Sequence, residues 1–268
     1  VVAMLRLGNA YLAGDGVTAN PQRGRALVEQ AAERGNSAAQ RRLARLYRAG
    51  QAGLTTDPGQ AFTLIETAAA DGNGAGLHDL GFAYLQGVGV AQDEDRAIAL
   101  FRQSAAANNT NGQIALARGQ LAGWGVLGNR EQAAGIATLT RLAAAGNPNA
   151  KVYLGHAYRD GTGVPVDGAQ ALALYREAAQ SGGVLGQMAL ARAYIVGIGT
   201  RADAFAAVQI YEDLARQGNA NALLSLGNLY RAGSGDVVAD RERSIDYYEQ
   251  AILAGNARAS ELLATLVQ

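Results

Sequence analysis

The chain repeats itself, and the period constrains the fold more than any other feature. A Gly closes an apolar segment at Gly14, Gly50, Gly87, Gly123, Gly161, Gly197 and Gly233, at spacings of 36, 37, 36, 38, 36 and 36 residues. A fixed period in this range marks a stack of supersecondary units, because one such unit cannot bury its apolar face alone. Seven residues before each Gly stands Leu7, Leu43, Leu80, Leu116, Leu154, Leu190 or Leu226, and Leu263 opens a shortened copy. Gly or Ala follows each of the seven. Three residues further on come Tyr11, Tyr47, Tyr84, Tyr158, Tyr194 and Tyr230, with Gln120 standing in the fourth unit. Spacings of three and four place Leu, small residue and Tyr on one helical stripe, a core-packing face.

A second stripe follows in each unit. Asn20, Asp57, Asp93, Asn129, Asp167, Asp203 and Asp240 stand at its start as N-caps, and Pro21 and Pro58 occupy the first helical position. Inside it a small residue (Gly24, Ala61, Ala97, Gly135, Ala171, Ala207, Ser244) precedes by four a larger one (Val28, Ile65, Phe101, Leu139, Tyr175, Tyr211, Tyr248). Gly35, Gly72, Asn108, Gly146, Gly182, Gly218 and Gly255 suit the left-handed position that ends a helix. Asn36, Asn73, Asn109, Asn147, Asn219 and Asn256 then cap the next one. The prediction is an all-α, right-handed α–α superhelical solenoid of about seven helix–turn–helix repeats of 36–38 residues, with a C-terminal capping helix. The expected units are 1–35, 36–72, 73–108, 109–146, 147–182, 183–218 and 219–255, with the cap at 256–268. No linker or shift in composition interrupts them, so 1–268 is expected to be one domain.

The shared pattern is A-x-x-x-L-[GA]-x-x-Y-x-x-G-x-G-V, an Asx cap, then A-x-x-x-[FY]-x-x-A-A-x-x-G-[ND]. It resembles the Sel-one-like repeat (SLR) family, a relative of the tetratricopeptide repeats. Leu80-Gly81, Tyr84 and Gly87-Val88-Gly89-Val90 make one good copy. Leu154-Gly155, Tyr158 and Gly161-Thr162-Gly163-Val164, continuing through Ala171, Tyr175 and Gly182, make another. Two units depart from the pattern. Trp124 enters the Gly turn of the fourth, and Gln51-Ala52-Gly53-Leu54 replaces that of the second. The resemblance implies a generic scaffold that assembles protein complexes, commonly bacterial and often in the cell envelope. Envelope lipoproteins that organise exopolysaccharide secretion, such as the alginate-system scaffold, are similar in layout.

Composition excludes other classes. There are 35 Gly but no strict Gly-X-Y period, so collagen is out, and 49% apolar residues with zero net charge argue against disorder. The lack of Cys removes disulfides, thiolate metal sites and a Cys nucleophile. No run of 18 apolar residues appears in the sequence, and no signal peptide is expected within it. The chain opens on Val1, as expected of a processed or trimmed piece. Gly123-Trp124-Gly125-Val126-Leu127-Gly128 spells G-x-G-x-x-G, but a helix precedes it where a dinucleotide site needs a strand. His78 and His156 fall on the outer side of first helices, and neither has a His or Glu one turn away. Asp79 adjoins His78, but neighbours in sequence do not share a helix face. Asp93-Glu94-Asp95 reads as helix capping. No catalytic, metal or cofactor site is expected, and no cofactor.

Charge is unevenly spread. The eight first-helix segments hold eleven cationic and three acidic residues, leaving twelve and twenty for the rest of a neutral chain. In tetratricopeptide-like solenoids the first helices line the concave surface, so the resemblance makes that surface the basic one. Three positions per first helix avoid the Leu–Tyr stripe. They carry Arg41, Arg45 and Arg48; His78, Phe82 and Leu85; Ile114, Arg118 and Leu121; Val152, His156 and Arg159; Met188, Arg192 and Ile195; Leu224, Asn228 and Arg231. Arg mixed with aromatic and apolar residues is the composition of interface hot spots. The plainer reading is packing between repeats, with Arg stems laid over apolar neighbours. The expected groove residues are Arg45, Arg48, His78, Phe82, Arg118, His156, Arg159, Arg192 and Arg231. The expected partner is a protein, through an acidic segment, or an anionic polysaccharide in an exopolysaccharide secretion apparatus. A single Lys and zero net charge disfavour nucleic acid. A bacterial periplasmic or envelope location is favoured by the resemblance.

Overall fold

The computed structural model describes residues 1–125 and 131–267, the side chain of Val267 apart. Among them run fifteen helices and no strand, only an isolated bridge between Ser234 and Val237. They are α1 (Val2–Ala13), α2 (Pro21–Glu33), α3 (Ser37–Ala49), α4 (Pro58–Ala69), α5 (Gly74–Gln86), α6 (Glu94–Ala106), α7 (Thr110–Ala122), α8 (Gln132–Ala144), α9 (Pro148–Asp160), α10 (Gly168–Gln180), α11 (Val184–Val196), α12 (Ala204–Arg216), α13 (Ala220–Ala232), α14 (Arg241–Leu253) and α15 (Ala257–Val267). The fold is an all-α solenoid of helix–turn–helix repeats. The chain divides into two compact units, 1–135 and 136–268, with the division inside α8.

Local chemistry sets the helix ends. The side chains of Asn20, Asp57, Asp93, Asp167, Asp203 and Asp240 each accept a backbone N–H of the second helix they open. Asn36, Asn73, Asn109, Asn147, Asn219 and Asn256 do the same for the first helices. The expected cap Asn129 and the Val126-Leu127-Gly128 part of the Gly turn lie outside the described residues. Asn108 holds φ 56° where its counterparts are Gly, a conformation Asn tolerates better than most residues. The turn within each hairpin is closed by a bond the sequence does not announce. The cap residue's N–H donates to the carbonyl of the stripe Tyr, in the pairs Asn20–Tyr11, Asp57–Tyr47, Asp93–Tyr84, Asp167–Tyr158, Asp203–Tyr194 and Asp240–Tyr230, at 2.7–3.0 Å.

Small residues let the paired helices approach. An added Cβ would stand 2.5 Å from the ring of Phe101 at Gly81, of Tyr175 at Gly155 and of Tyr248 at Gly227. In the first unit, Ile65, Leu80, Tyr84, Ile98 and Phe101 form one core and Val28, Leu43 and Leu46 another. In the second, Val152, Leu172 and Tyr175 form a core, followed by Val208, Tyr211, Leu214, Leu226 and Tyr230. Tyr248 anchors α14 beneath Leu223, with Leu262 and Leu263 of α15 packed against this cluster.

Two expectations are corrected here. Leu7 is 42% exposed, whereas Leu43, at the same place in the pattern, is buried against Val28 and Ala31 of α2. The Tyr stripe of the first helices is only partly core. Tyr84 and Tyr230 are buried, while Tyr11, Tyr47, Tyr158 and Tyr194 are half-buried. Four of the rings meet guanidinium groups, three from the following helix (Arg23 on Tyr11, Arg96 on Tyr84, Arg243 on Tyr230) and one from the preceding helix (Arg176 on Tyr194), at 4.6–5.9 Å.

Candidate functional site

In the first unit the expected groove positions divide into paired and open groups. Arg45 and Arg48 are exposed on α3. Arg41 instead reaches across to α5, where its Nε donates to Asp79 Oδ2 at 2.6 Å, and His78 Nδ1 lies 2.9 Å from Asp79 Oδ1. The expectation that His78 and Asp79 cannot meet is overturned: Arg41 draws the carboxylate toward α3, and the His78 ring turns to the same side. Burial works against the Asp79 charge. Hydrogen bonds from His78 and Arg41 outweigh it, and hold the carboxyl below its usual range. Phe82 packs against both His78 and Phe101, with centroids 4.9 and 5.0 Å apart. The Arg118 guanidinium lies 5.8 Å from the Phe82 ring and 5.6 Å from that of Trp124. Trp124, the departure in the fourth Gly turn, thus joins an aromatic–Arg cluster. Glu94 bonds the same turn, accepting from Gly125 N at 3.1 Å, so its role exceeds capping. Ile114 is buried, and packs rather than lines a groove.

In the second unit, α9, α11 and α13 enclose a groove of about 550 Å³. Met188, Arg192 and Ile195 of α11 line it, with His156 of α9 and Leu224 and Asn228 of α13. A side cleft of about 220 Å³ adjoins it, lined by His156, Arg159, Tyr175 and Arg192 among others. His156 and Arg192 belong to both. Arg159 is not an open charge: its Nε and Nη2 hold the Asp160 carboxylate at 2.7 and 2.6 Å, which lowers the Asp160 pKa. His156 meets Tyr153 and Tyr175 edge-on, with centroids 5.9 and 5.6 Å apart. Val152 is fully buried, and Arg231 is exposed in the last turn of α13, outside both linings.

So His156, Arg159 and Arg192 come together in the second unit, and His78, Phe82 and Arg118 join one cluster in the first. Sequence reasoning missed Arg258 of α15 and Ser225 and Tyr211, all of which line the larger groove. Arg258 had a signal, since it stands on a first-type helix. Tyr211 and Tyr175 read as core residues, and both are also buried. Among the described residues no group of three or more His, Asp or Glu is placed to hold a metal. None of the helices is long and apolar enough to cross a membrane, among the same residues.

The class defined by this architecture is the helical repeat protein built from stacked hairpins. Sel1 repeat models match residues 1–36, 37–73, 74–109, 148–183, 184–219 and 220–256, and the chain belongs to that family. Proteins of this kind are typically interaction scaffolds. The unmatched residues 110–147 hold the fourth unit, with Gln120 and Trp124 in place of the pattern, and 257–268 at the end are unmatched too. Among solved structures, a Sel1 repeat protein from Oxalobacter formigenes is 29% identical, with TM-score 0.62, covering 93% of this chain and 99% of its own. A protective antigen of uropathogenic Escherichia coli displaying an SLR fold is 26% identical, with TM-score 0.55, over 98% of this chain. This chain spans 56% of that protein's length. An immunity protein from Pseudomonas aeruginosa shares the fold at 21% identity and TM-score 0.58, over 82% of each chain. No curated protein matches.

Proposed function

We propose that the protein is a non-enzymatic interaction scaffold that holds protein partners on the face of its first helices. The observation that carries this reading is the groove of the second unit, where Arg192 and Arg258 stand among Met188, Ile195 and Leu224. Guanidinium groups set in apolar surface supply both buried area and oriented charge. The two histidines are engaged in ring and ion contacts, which suits a binding surface better than a reaction centre. The test is a photo-crosslinking amino acid at Leu224, used in cells of the source organism. A discrete protein adduct that is lost on Arg192→Glu and kept on Arg201→Glu, an exposed turn residue, is the expected result. An adduct pattern indifferent to Arg192 overturns the assignment. A second reading draws on the same guanidinium groups: a component of an envelope exopolysaccharide apparatus that contacts an anionic polymer. Crosslinks to carbohydrate in place of protein would favour it.

A further inference from the structure

The repeats act as controls for one another. The large residue of the second helix is Phe101, Tyr175, Tyr211 or Tyr248 in the third, fifth, sixth and seventh units, buried in every case. Tyr248 donates its hydroxyl to Asn228 Oδ1 at 2.8 Å, on the first helix of its own unit. Tyr211 is hydrogen-bonded to Ser225, on the first helix of the next unit. Phe101 has no hydroxyl to satisfy. Tyr175 is 1% exposed and its hydroxyl meets no protein partner. The residue at the place of Ser225 is Ala189, which offers no side-chain acceptor, and at the place of Asn228 is His156, which stands edge-on to the ring. A buried donor left unpaired is costly, and the third unit shows that Phe fills this position.

Tyr175 lines the side cleft beside Arg159 and Arg192, and no acid among the described residues lines either the cleft or the groove. Burial pushes the Tyr175 pKa up to about 12, so the hydroxyl keeps its proton at neutral pH and can only gain from an acceptor. Asp160, the acid of α9 whose charge acts on this ring, is already held by Nε and Nη2 of Arg159. Arg192 is exposed and is the cation shared by cleft and groove.

We propose that the cleft receives the carboxylate of an acidic side chain from a partner protein segment lying in the groove. Tyr175 donates a hydrogen bond to that carboxylate, Arg192 supplies the charge, and Met188, Ile195 and Leu224 take flanking apolar side chains. This rests on the reading of the second unit's groove as a partner surface.

Met188 and Met4 are the two methionines of the chain, so methyl-labelled methionine gives one reporter in the groove and one in the first unit. The full chain is titrated with a terminally blocked Leu-Glu-Leu peptide, its Leu-Gln-Leu twin and a short oligouronate. Leu-Glu-Leu should shift the Met188 signal saturably and bind about tenfold more tightly than Leu-Gln-Leu. Tyr175→Phe and Arg192→Gln should each weaken Leu-Glu-Leu binding more than Leu-Gln-Leu binding, and so erase most of that preference. Equal binding of both peptides, or a preference that survives Tyr175→Phe, overturns the cleft and leaves the groove standing. No Met188 shift with any probe overturns the groove as well. Tighter, Tyr175-dependent binding of the oligouronate replaces the protein segment by a polymer.

Discussion

Asp79 shows how a single residue joins two repeats. Its carboxylate takes Arg41 from the preceding unit and His78 from its own helix. Because its folded pKa lies below the unfolded value, its contribution is present in full above the unfolded value and is lost as pH falls through the folded one. Asp79→Asn should cost about 1–2 kcal/mol at neutral pH, and that difference should vanish in strong acid. Urea melts of both proteins across acid pH would measure it, and a pH-independent difference would assign the loss to packing. Tyr175 is the opposite case, a polar atom that adds nothing to the folded state by itself. Tyr175→Phe should leave stability unchanged or raise it by up to about 1 kcal/mol, read as an unchanged or higher urea midpoint. Neither residue's role is legible in the chain. The reading of His78 and Asp79 as unable to meet followed from helix geometry alone and lacked the pull of Arg41, 38 residues away.

At the scale of the helices, much was legible because the signals are local. An Asx cap acts three residues along, and a Gly at the helix end declares a left-handed turn. The structure bears out each such cap among the described residues. The small-on-large pairing was legible too, since both partners recur at fixed spacing. The least legible part was which stripe residues become core. Leu7 and Leu43 occupy the same place in the pattern, but Leu7 is 42% exposed while Leu43 is buried against α2. The groove positions divide in the same way: Val152 sinks into the core, while Met188 lines the opening. Gly155→Ala tests the pairing directly. Its new methyl would stand 2.5 Å from the Tyr175 ring. Buried as that ring is, it cannot move freely, so the change should cost about 1–3 kcal/mol, read by thermal or urea unfolding. Gly161, in the turn that follows, holds φ 69°, so Gly161→Ala would act through the backbone, with the exposed Val166 side chain also in its way.

For the molecule as a whole, the stacked-hairpin architecture means that each repeat answers mainly to its neighbours. Leu154, 5% exposed in α9, is a fair probe. Leu154→Ala should cost about 2–5 kcal/mol. Hydrogen exchange should loosen most between Asn147 and Gly182, and an even loss of protection along the chain would contradict the picture. One recurring bond has a consequence for how such an array can change over time. The cap N–H reaches the Tyr carbonyl over nine residues in most hairpins, but over ten from Tyr47 to Asp57 and from Tyr230 to Asp240, at 3.0 and 2.7 Å. The clasp therefore closes with one residue more between its jaws as well as without it. The loop within it is spliceable: one residue is accommodated there with the bond between cap and Tyr kept. Ser234 and Val237 already pair in the longer loop of the seventh unit, with Val238 left 80% exposed at its edge. Diversity in a protein of this design can accumulate at these hinges of the sequence while the scaffold beneath is inherited intact.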